Sequence, residues 1–247
     1  MRAWHGACGN GLGMRSTHAL LGALLVAGML GLPAPAASAA EPQADRVLPL
    51  DRYTSDKGRT LAQRYDAILK KLNAGIFNCM PWLDVKKEGI GFYKPKHLAS
   101  DARYLSLNVD VDQQPNATFM AQPVEGRASA MFSRYVPHLL RAMTGAAELL
   151  AEPQLDGFTV IVSWLQKEPG ARERPVFDTI AAFMAKPLVA DYLAARVGVA
   201  QLAERAQVLA WDGETRLGEV KVRGWADDFA RTYRVTGYTP DPRFTCR

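Results

Sequence analysis

The chain has 247 residues, of which 48% are hydrophobic and 22% are charged, and its formal net charge at pH 7 is +5. This composition is ordinary for a globular protein and gives enough residues for one well-buried domain. The positive charge is small and scattered along the sequence, so the chain is not expected to bind nucleic acid.

The first forty residues have the layout of a secretory signal peptide. Arg15 precedes an uncharged run at 19–32, and the small residues 37–40 follow it. This run is too short to span a bilayer, and cleavage after Ala39 or Ala40 satisfies the small-residue rule. We therefore expect a periplasmic or secreted protein with no membrane span after signal cleavage; the alternative is an uncleaved N-terminal anchor.

The start of the signal leaves two alternatives open. Translation from Met14 would give a compact charged region directly before the apolar run, whereas residues 2–13 are an untidy prelude. In either case the mature chain lacks Arg2 and Arg15, which lowers the net charge from +5 to about +3.

Two cysteines, Cys79 and Cys246, remain after cleavage. In an oxidising compartment two thiols with no third predict one disulfide, which would enclose nearly the whole domain. The alternative is two unpaired thiols. A catalytic Cys79 is not expected, because no histidine lies near it in sequence and no CxxC motif is present.

The first half of the mature chain predicts one helix and one clear strand. Apolar residues at helical spacing predict a helix over 61–76, with a stop at 73–75. Residues 86–89 are predicted to form a loop, and 90–93 a short strand. Strict alternation of apolar and polar residues over 104–111 predicts a strand with one buried face.

The middle of the chain predicts a hairpin partner and the longest helix. Residues 117–122 are predicted to return beside the preceding strand. An apolar stripe over 132–150 predicts a helix, with Pro137 inside it. Because proline fits a helix interior poorly, we expect either a break near Tyr135 or a kinked continuous helix.

The last third of the chain predicts mainly strands. In order, the pattern predicts a central strand at 158–165, a returning strand at 176–184, a helix at 187–197, a short helical piece at 199–206, a hairpin over 208–222 and a last strand at 233–238.

The order of these elements predicts an α+β fold. Short turns join most strands, so a mainly antiparallel β-sheet of about 5–7 strands covered by about three helices fits better than a doubly wound fold. The expected organisation is a signal peptide at 1–40, an extended lead-in at 41–56 and a single α+β globular domain at 57–247.

The sequence contains no assembled catalytic motif: GxSxG, SxxK, HExxH and a Gly-rich phosphate loop are all absent. No cofactor and no metal site are predicted. The weak catalytic candidates are His97, Asp110 and Asp112. Residues at i and i+2 of a strand point to the same face, so the two aspartates would form a carboxylate pair. The alternative is that this polar face meets only water.

A second group of residues predicts a ligand surface. Phe92 and Tyr93 lie beside Lys94 and Lys96, with Trp82 upstream, an aromatic and basic set suited to a saccharide or an acidic polymer. The alternative is that these aromatic side chains pack at the edge of the sheet.

Two functions follow from these observations. The leading interpretation is an exported, non-enzymatic binding or accessory protein of the cell envelope, whose partner is an unknown envelope component or protein. The alternative is a secreted hydrolase acting on a cell-wall or extracellular substrate with His97, Asp110 and Asp112. Convergence of these three side chains in one pocket would favour the hydrolase.

Overall fold

The computed structural model describes residues 44–80, 82–111, 117–167, 169–171 and 173–224. A short 3-10 turn at Leu50–Arg52 comes first. The elements that follow are, in order, α1 (Asp56–Cys79), β1 (Leu83–Tyr93), β2 (Tyr104–Val111), α2 (Ala117–Met120), α3 (Val124–Met143), α4 (Ala147–Ala151), β3 (Gly157–Leu165), β4 (Phe177–Ala185), α5 (Lys186–Leu193), α6 (Val199–Arg205), β5 (Gln207–Asp212) and β6 (Thr215–Glu219).

Six strands form one sheet in which they lie side by side in chain order. Every neighbouring pair is antiparallel except β2 and β3, which are parallel. This exception arises because α2, α3 and α4 connect the two strands, and a helical crossover lets the chain re-enter the sheet in the same direction. The predicted α+β fold with a mainly antiparallel sheet is confirmed.

The alternation of residues along β2 determines which face of the sheet the helices cover. Leu105, Leu107 and Val109 are fully buried and belong to one core cluster with residues of the long helices α1 and α3. Ser106 and Asn108 point to the opposite face. We call this opposite side the open face, because the hydrophobic core lies on the helix side of the sheet.

Helix α1 is longer than the sequence predicts. Ser55 caps its start, where the Ser55 hydroxyl accepts a hydrogen bond from Gly58 N–H at 3.1 Å. The predicted stop at 73–75 is wrong, because the helix continues to Cys79. Ile76 is 1% exposed in the core, and this burial outweighs the roughly 1 kcal/mol that one helical glycine costs.

Two predictions for the middle of the chain need correction or refinement. Residues 117–120 form α2 instead of a hairpin partner, because β1 and β3 already occupy both sides of β2. Helix α3 runs without a break through Pro137, which is buried among apolar residues. It ends at Met143, with Thr144 as its C-cap, and Ala147–Ala151 forms a separate helix.

Strand β1 begins earlier than predicted. The predicted loop at 86–89 lies inside this strand, as an irregularity where the pairing register shifts between Val85 and Ile90. Glu88 there has a φ of 56°. A Cβ on Gly89 would lie 2.6 Å from the Lys86 carbonyl oxygen, so only glycine fits this close approach.

The remaining strands and helices follow the prediction closely. Strand β3 is central and pairs antiparallel with β4, α5 and α6 come next, and β5 with β6 forms the hairpin around Gly213. The strand predicted at 233–238 lies outside the described residues. No helix among the described residues is long and apolar enough to cross a membrane.

A buried carboxylate, Glu152, ties the loop after α4 to α1. The Tyr65 hydroxyl donates to Glu152 Oε2 at 2.7 Å, and Arg64 donates to the same oxygen at 2.6 Å. The backbone N–H of Gln154 donates to Oε1 at 2.9 Å. Burial by itself would raise the pKa of Glu152, but these hydrogen bonds together lower it below the ordinary value.

A second buried carboxylate, Asp178, ties β4 to the start of α3. Asp178 is 1% exposed, and its Oδ2 accepts a hydrogen bond from Arg127 Nε at 3.0 Å. Gln166 donates to Asp178 Oδ1 at 2.6 Å. Arg127 also donates to the Gln122 carbonyl at 2.7 Å. The pair therefore fixes where the crossover helix begins relative to the sheet.

Candidate functional site

The open face of the sheet carries a cavity of about 720 Å³. Its volume lies within the range of roughly 300 to 1,000 Å³ that is typical of small-molecule sites. The floor consists of side chains from β2, β3, β4 and β5, and the connection between β1 and β2 supplies one wall. The alternation of each strand therefore builds the core with one set of residues and the cavity with the other.

One row of the floor crosses four strands. Asn108 on β2 pairs with Ile161 on β3, Ile161 pairs with Ala181 on β4, and Ala181 pairs with Leu209 on β5. All four line the cavity, at intervals of about 4.8 Å from strand to strand. The row is polar at β2 and apolar at the other three strands.

The neighbouring row repeats this gradient. Ser106 pairs with Thr159, and Thr159 pairs with Phe183. The floor thus divides into a polar half and an apolar half. The polar half consists of Ser106, Asn108 and Thr159, and the apolar half consists of Ile161, Ala181, Phe183, Leu209 and Trp211.

The wall comes from the connection between β1 and β2. His97 in this connection packs edge-on against Phe183 of β4, with ring centroids 4.6 Å apart. Because β4 lies two strands from β2, the connection crosses about 10 Å of the open face. Within this connection, Lys94 Nζ donates a hydrogen bond to the Ala99 carbonyl at 3.2 Å.

Positive side chains predominate at the rim. Lys94, Lys96 and Arg216 line the cavity, and none of them has an ion-pair partner among the described residues. The acidic lining residue, Glu88, is paired with Arg52 at 3.7 Å. The rim therefore carries uncompensated positive charge, which favours an anionic ligand.

Tyr93 adds a neutral hydroxyl to this rim. Burial, with smaller contributions from the negative charges of Tyr53 and Glu88, raises the pKa of Tyr93 to about 12. Its hydroxyl donates to the Glu88 carbonyl at 2.7 Å. This contact holds the irregular part of β1 beside the cavity.

Asn108 is the polar residue at the β2 end of the row that crosses the floor. Its Oδ1 is buried from solvent and accepts no hydrogen bond from the described part of the protein. Buried polar atoms normally have partners. Because this oxygen is inaccessible to solvent, a molecule in the cavity would not contact it.

The structure brings together part of the predicted ligand surface. Tyr93, Lys94 and Lys96 line the cavity. Phe92 faces the core, where it is 2% exposed and its ring centroid lies 6.1 Å from that of Tyr65. Trp82 is partly buried at the margin of the core cluster and does not line the cavity.

The predicted catalytic candidates lie in different surroundings. His97 lines the cavity, whereas Asp110 does not and instead forms an ion pair with Lys86 at 2.9 Å. Asp112 lies outside the described residues. Within the part of the chain that is described, no group of His, Cys, Asp or Glu side chains could hold a metal ion.

A polar cluster lies on the open face of the sheet, outside the cavity. Lys86 Nζ lies 3.2 Å from Ser163 Oγ, and Ser163 Oγ lies 3.0 Å from Thr179 Oγ1. Ser163 is completely buried, so a substrate would not reach its hydroxyl, and the cluster has a structural role.

Sequence reasoning missed most of the floor. The alternation along β2 places Ser106 and Asn108 on the face away from the core, but the sequence does not indicate that this face forms a cavity. Ile161, Ala181 and Leu209 gave no signal, because apolar residues on both faces of a central strand are equally consistent with a sheet covered on both sides.

No protein-family model matches the chain, no curated protein matches it, and no solved structure matches its fold.

Proposed function

We propose that this protein is an exported, non-enzymatic binding protein of the cell envelope that holds a small amphipathic anion in the cavity of the open face. One observation carries the proposal: the cavity has a polar half, an apolar half and three rim cations without ion-pair partners in the described chain.

The apolar half supports a ligand with a hydrocarbon body. Ile161, Ala181 and Leu209 form a continuous apolar row, and Phe183 and Trp211 flank it. Burial of hydrocarbon on such a surface contributes roughly 25 cal/mol for each Å² removed from water. A chain of about ten carbons would use this surface well.

The rim supports a negative head group. Lys94 directly follows β1, beside the polar half of the floor, and Lys96 directly precedes His97, which contacts Phe183 of β4. A carboxylate near these ammonium groups gains charge-assisted contacts while its body lies on the apolar half. The ligand is therefore expected to lie across the strands of the floor.

Export and a disulfide complete the proposal. The signal peptide at 1–40 would direct the chain to the periplasm or the exterior, where the ligand or a partner protein would be met. Cys79 is the last residue of α1, and Cys246 lies outside the described residues. We propose that the two form a disulfide in that oxidising compartment.

Two probes of equal chain length and opposite charge test the proposed function. Isothermal titration calorimetry with sodium decanoate should give one site per chain, whereas decyltrimethylammonium should bind at least tenfold more weakly because it meets the rim cations. Equal binding of both probes would show that only apolar contact matters. Absence of decanoate binding would overturn the proposal.

A further inference from the structure

We infer that the cavity holds a linear dianion, a molecule with a carboxylate at each end of an apolar chain. This inference rests on the proposed function and specifies the ligand class of the same cavity. It depends on where the three rim cations lie. Lys94 and Lys96 belong to the connection between β1 and β2, whereas Arg216 lies on β6, the last strand of the sheet.

Arg216 lies at the apolar side of the floor. It is the register partner of Trp211 on β5. Two residues before Trp211 on the same face of β5 is Leu209, the last residue of the apolar row. Arg216 is exposed and has no ion-pair partner within the described chain. Its guanidinium is therefore free to bind an anionic group of a ligand that lies on Leu209 and Trp211.

Lys94 belongs to the opposite corner of the open face. It directly follows Tyr93, the register partner of Tyr104 at the start of β2. Arg216 lies four strands away from β2, in the row that reaches β2 at Asp110, six residues beyond Tyr104. The backbone positions of these two cations are thus separated both along the strands and across them.

Lys96 is also separated from Arg216. It directly precedes His97, whose ring centroid lies 4.6 Å from that of Phe183 on β4. Phe183 lies four residues from Thr179, and the row of Thr179 leads to Arg216 two strands away. Four residues of strand cover about 13 Å and two strand intervals about 10 Å, so the diagonal from Phe183 to Arg216 is roughly 16 Å.

The surface along this diagonal is apolar. Ala181 and Leu209 are register partners, and their row lies between Phe183 and Trp211. Methylene groups gain free energy by burial on such a surface, whereas a charged group would lose hydration there. With carbon–carbon bonds of about 1.5 Å, an extended chain of about twelve carbons reaches roughly 14 Å. Such a chain places its two ends near the two sets of cations.

A monocarboxylate satisfies only one of these ends. With its head group at Lys94 and Lys96, it leaves Arg216 without an anion. A second carboxylate would accept hydrogen bonds from two N–H groups of the guanidinium, the bidentate geometry that arginine provides. A dianion therefore uses all three rim cations, and a monoanion does not.

A matched pair of ligands isolates the second charge. Dodecanedioate and its monomethyl ester have the same chain, but the ester carries one negative charge instead of two. By calorimetry, the wild-type protein should bind the dicarboxylate about tenfold more tightly. About twofold is the statistical gain of two equivalent carboxylates, and about fivefold is the contact with Arg216. In Arg216→Gln the preference should fall to about twofold.

Arg223→Gln is the matched control. Arg223 is exposed and does not line the cavity, and its substitution changes the net charge by the same amount. The tenfold preference should persist in this variant. Loss of the preference in both variants would show that only net charge matters and would overturn the inference.

A shorter pair of ligands tests the distance without any variant. Octanedioate has eight carbons and is too short to join the two sets of cations. The wild-type protein should therefore prefer it to its monomethyl ester by only about twofold, the statistical gain.

The outcomes separate this inference from the proposed function. A preference of twofold or less for dodecanedioate over its ester in the wild-type protein overturns the inference but leaves anion binding in the cavity standing. A tenfold preference that persists in Arg216→Gln, or that octanedioate also shows, overturns it as well. Failure of decanoate and of both twelve-carbon ligands to bind overturns the proposed function itself. If Arg216→Gln does not fold, the comparison of chain lengths decides.

Discussion

Asn108 on β2 and Ile161 on β3 are register partners on the open face, and between them the floor of the cavity changes from polar to apolar. Their neighbours on the same strands, Leu107 and Val160, face the other way and are fully buried beneath the helices. Alternate residues of the same strands thus face opposite sides of the sheet, so one set forms the core and the other set forms the floor of the cavity.

The rim lysines should control the affinity for anions. The double substitution Lys94→Gln and Lys96→Gln should weaken decanoate binding about tenfold and reduce its dependence on salt, because exposed charges are screened by salt. Lys71→Gln with Lys221→Gln changes the net charge equally at exposed positions away from the cavity. Equal loss of affinity in both double variants would show that only net charge matters.

The buried pair of Arg127 and Asp178 should be important for stability. Asp178→Asn leaves the Arg127 guanidinium largely buried without its counter-ion, and removal of one partner from such a pair costs about 3–5 kcal/mol. Urea denaturation should show this loss. Asp66→Asn, which breaks the exposed helical pair with Lys70, serves as the control and should cost far less. A similar cost for both would contradict the role of the buried pair.

The carboxylate of Glu152 should make stability depend on pH. Although burial opposes the charge, its hydrogen bonds lower its folded-state pKa below the ordinary value. The stabilisation is therefore complete above the ordinary glutamate pKa and is lost as the pH falls through the folded-state pKa. The loss of unfolding free energy caused by Glu152→Gln should be largest near neutral pH and should shrink in acid.

Urea denaturation at a series of pH values measures this trend. Glu148→Gln provides the control, because Glu148 is exposed on α4 and has no ion-pair partner among the described residues. Its effect should be small at every pH. A Glu152→Gln effect that stays constant from neutral pH into acid would contradict the account.

The proposed bridge between Cys79 and Cys246 predicts a thiol count. The protein isolated after the proposed export and cleavage, unfolded without reductant, should show no free thiol, and reduction should lower the unfolding free energy by at most roughly 5 kcal/mol. Two free thiols per cleaved chain would exclude the disulfide.

Local patterns were enough to predict most of the elements. The alternation over Tyr104–Val111 gave both faces of β2 correctly, and the apolar spacing of α1 identified its buried side. Residues 117–120 were assigned wrongly, because turn residues before them suggest a hairpin equally well. Only the pairing of β2 with β3 excludes it, and that pairing joins segments far apart in sequence.

The candidate site was predictable only in part. Lys94, Lys96 and Tyr93 stood out as a basic and aromatic group, and they do line the cavity. The contact that closes the wall, between His97 and Phe183, depends on the path of a connection across the sheet. Neither segment has a periodic pattern that indicates this path, so the cavity could not be predicted from the sequence.

A blocking substitution in the floor tests the central claim most directly. Ala181 lies between Ile161 and Leu209 in the middle of the cavity, so Ala181→Trp should fill the space that a ligand would occupy. Ala200→Trp makes the same change at an exposed position on α6. Calorimetry with decanoate should show binding abolished in folded Ala181→Trp and unchanged in Ala200→Trp. Undiminished binding by Ala181→Trp would contradict the account.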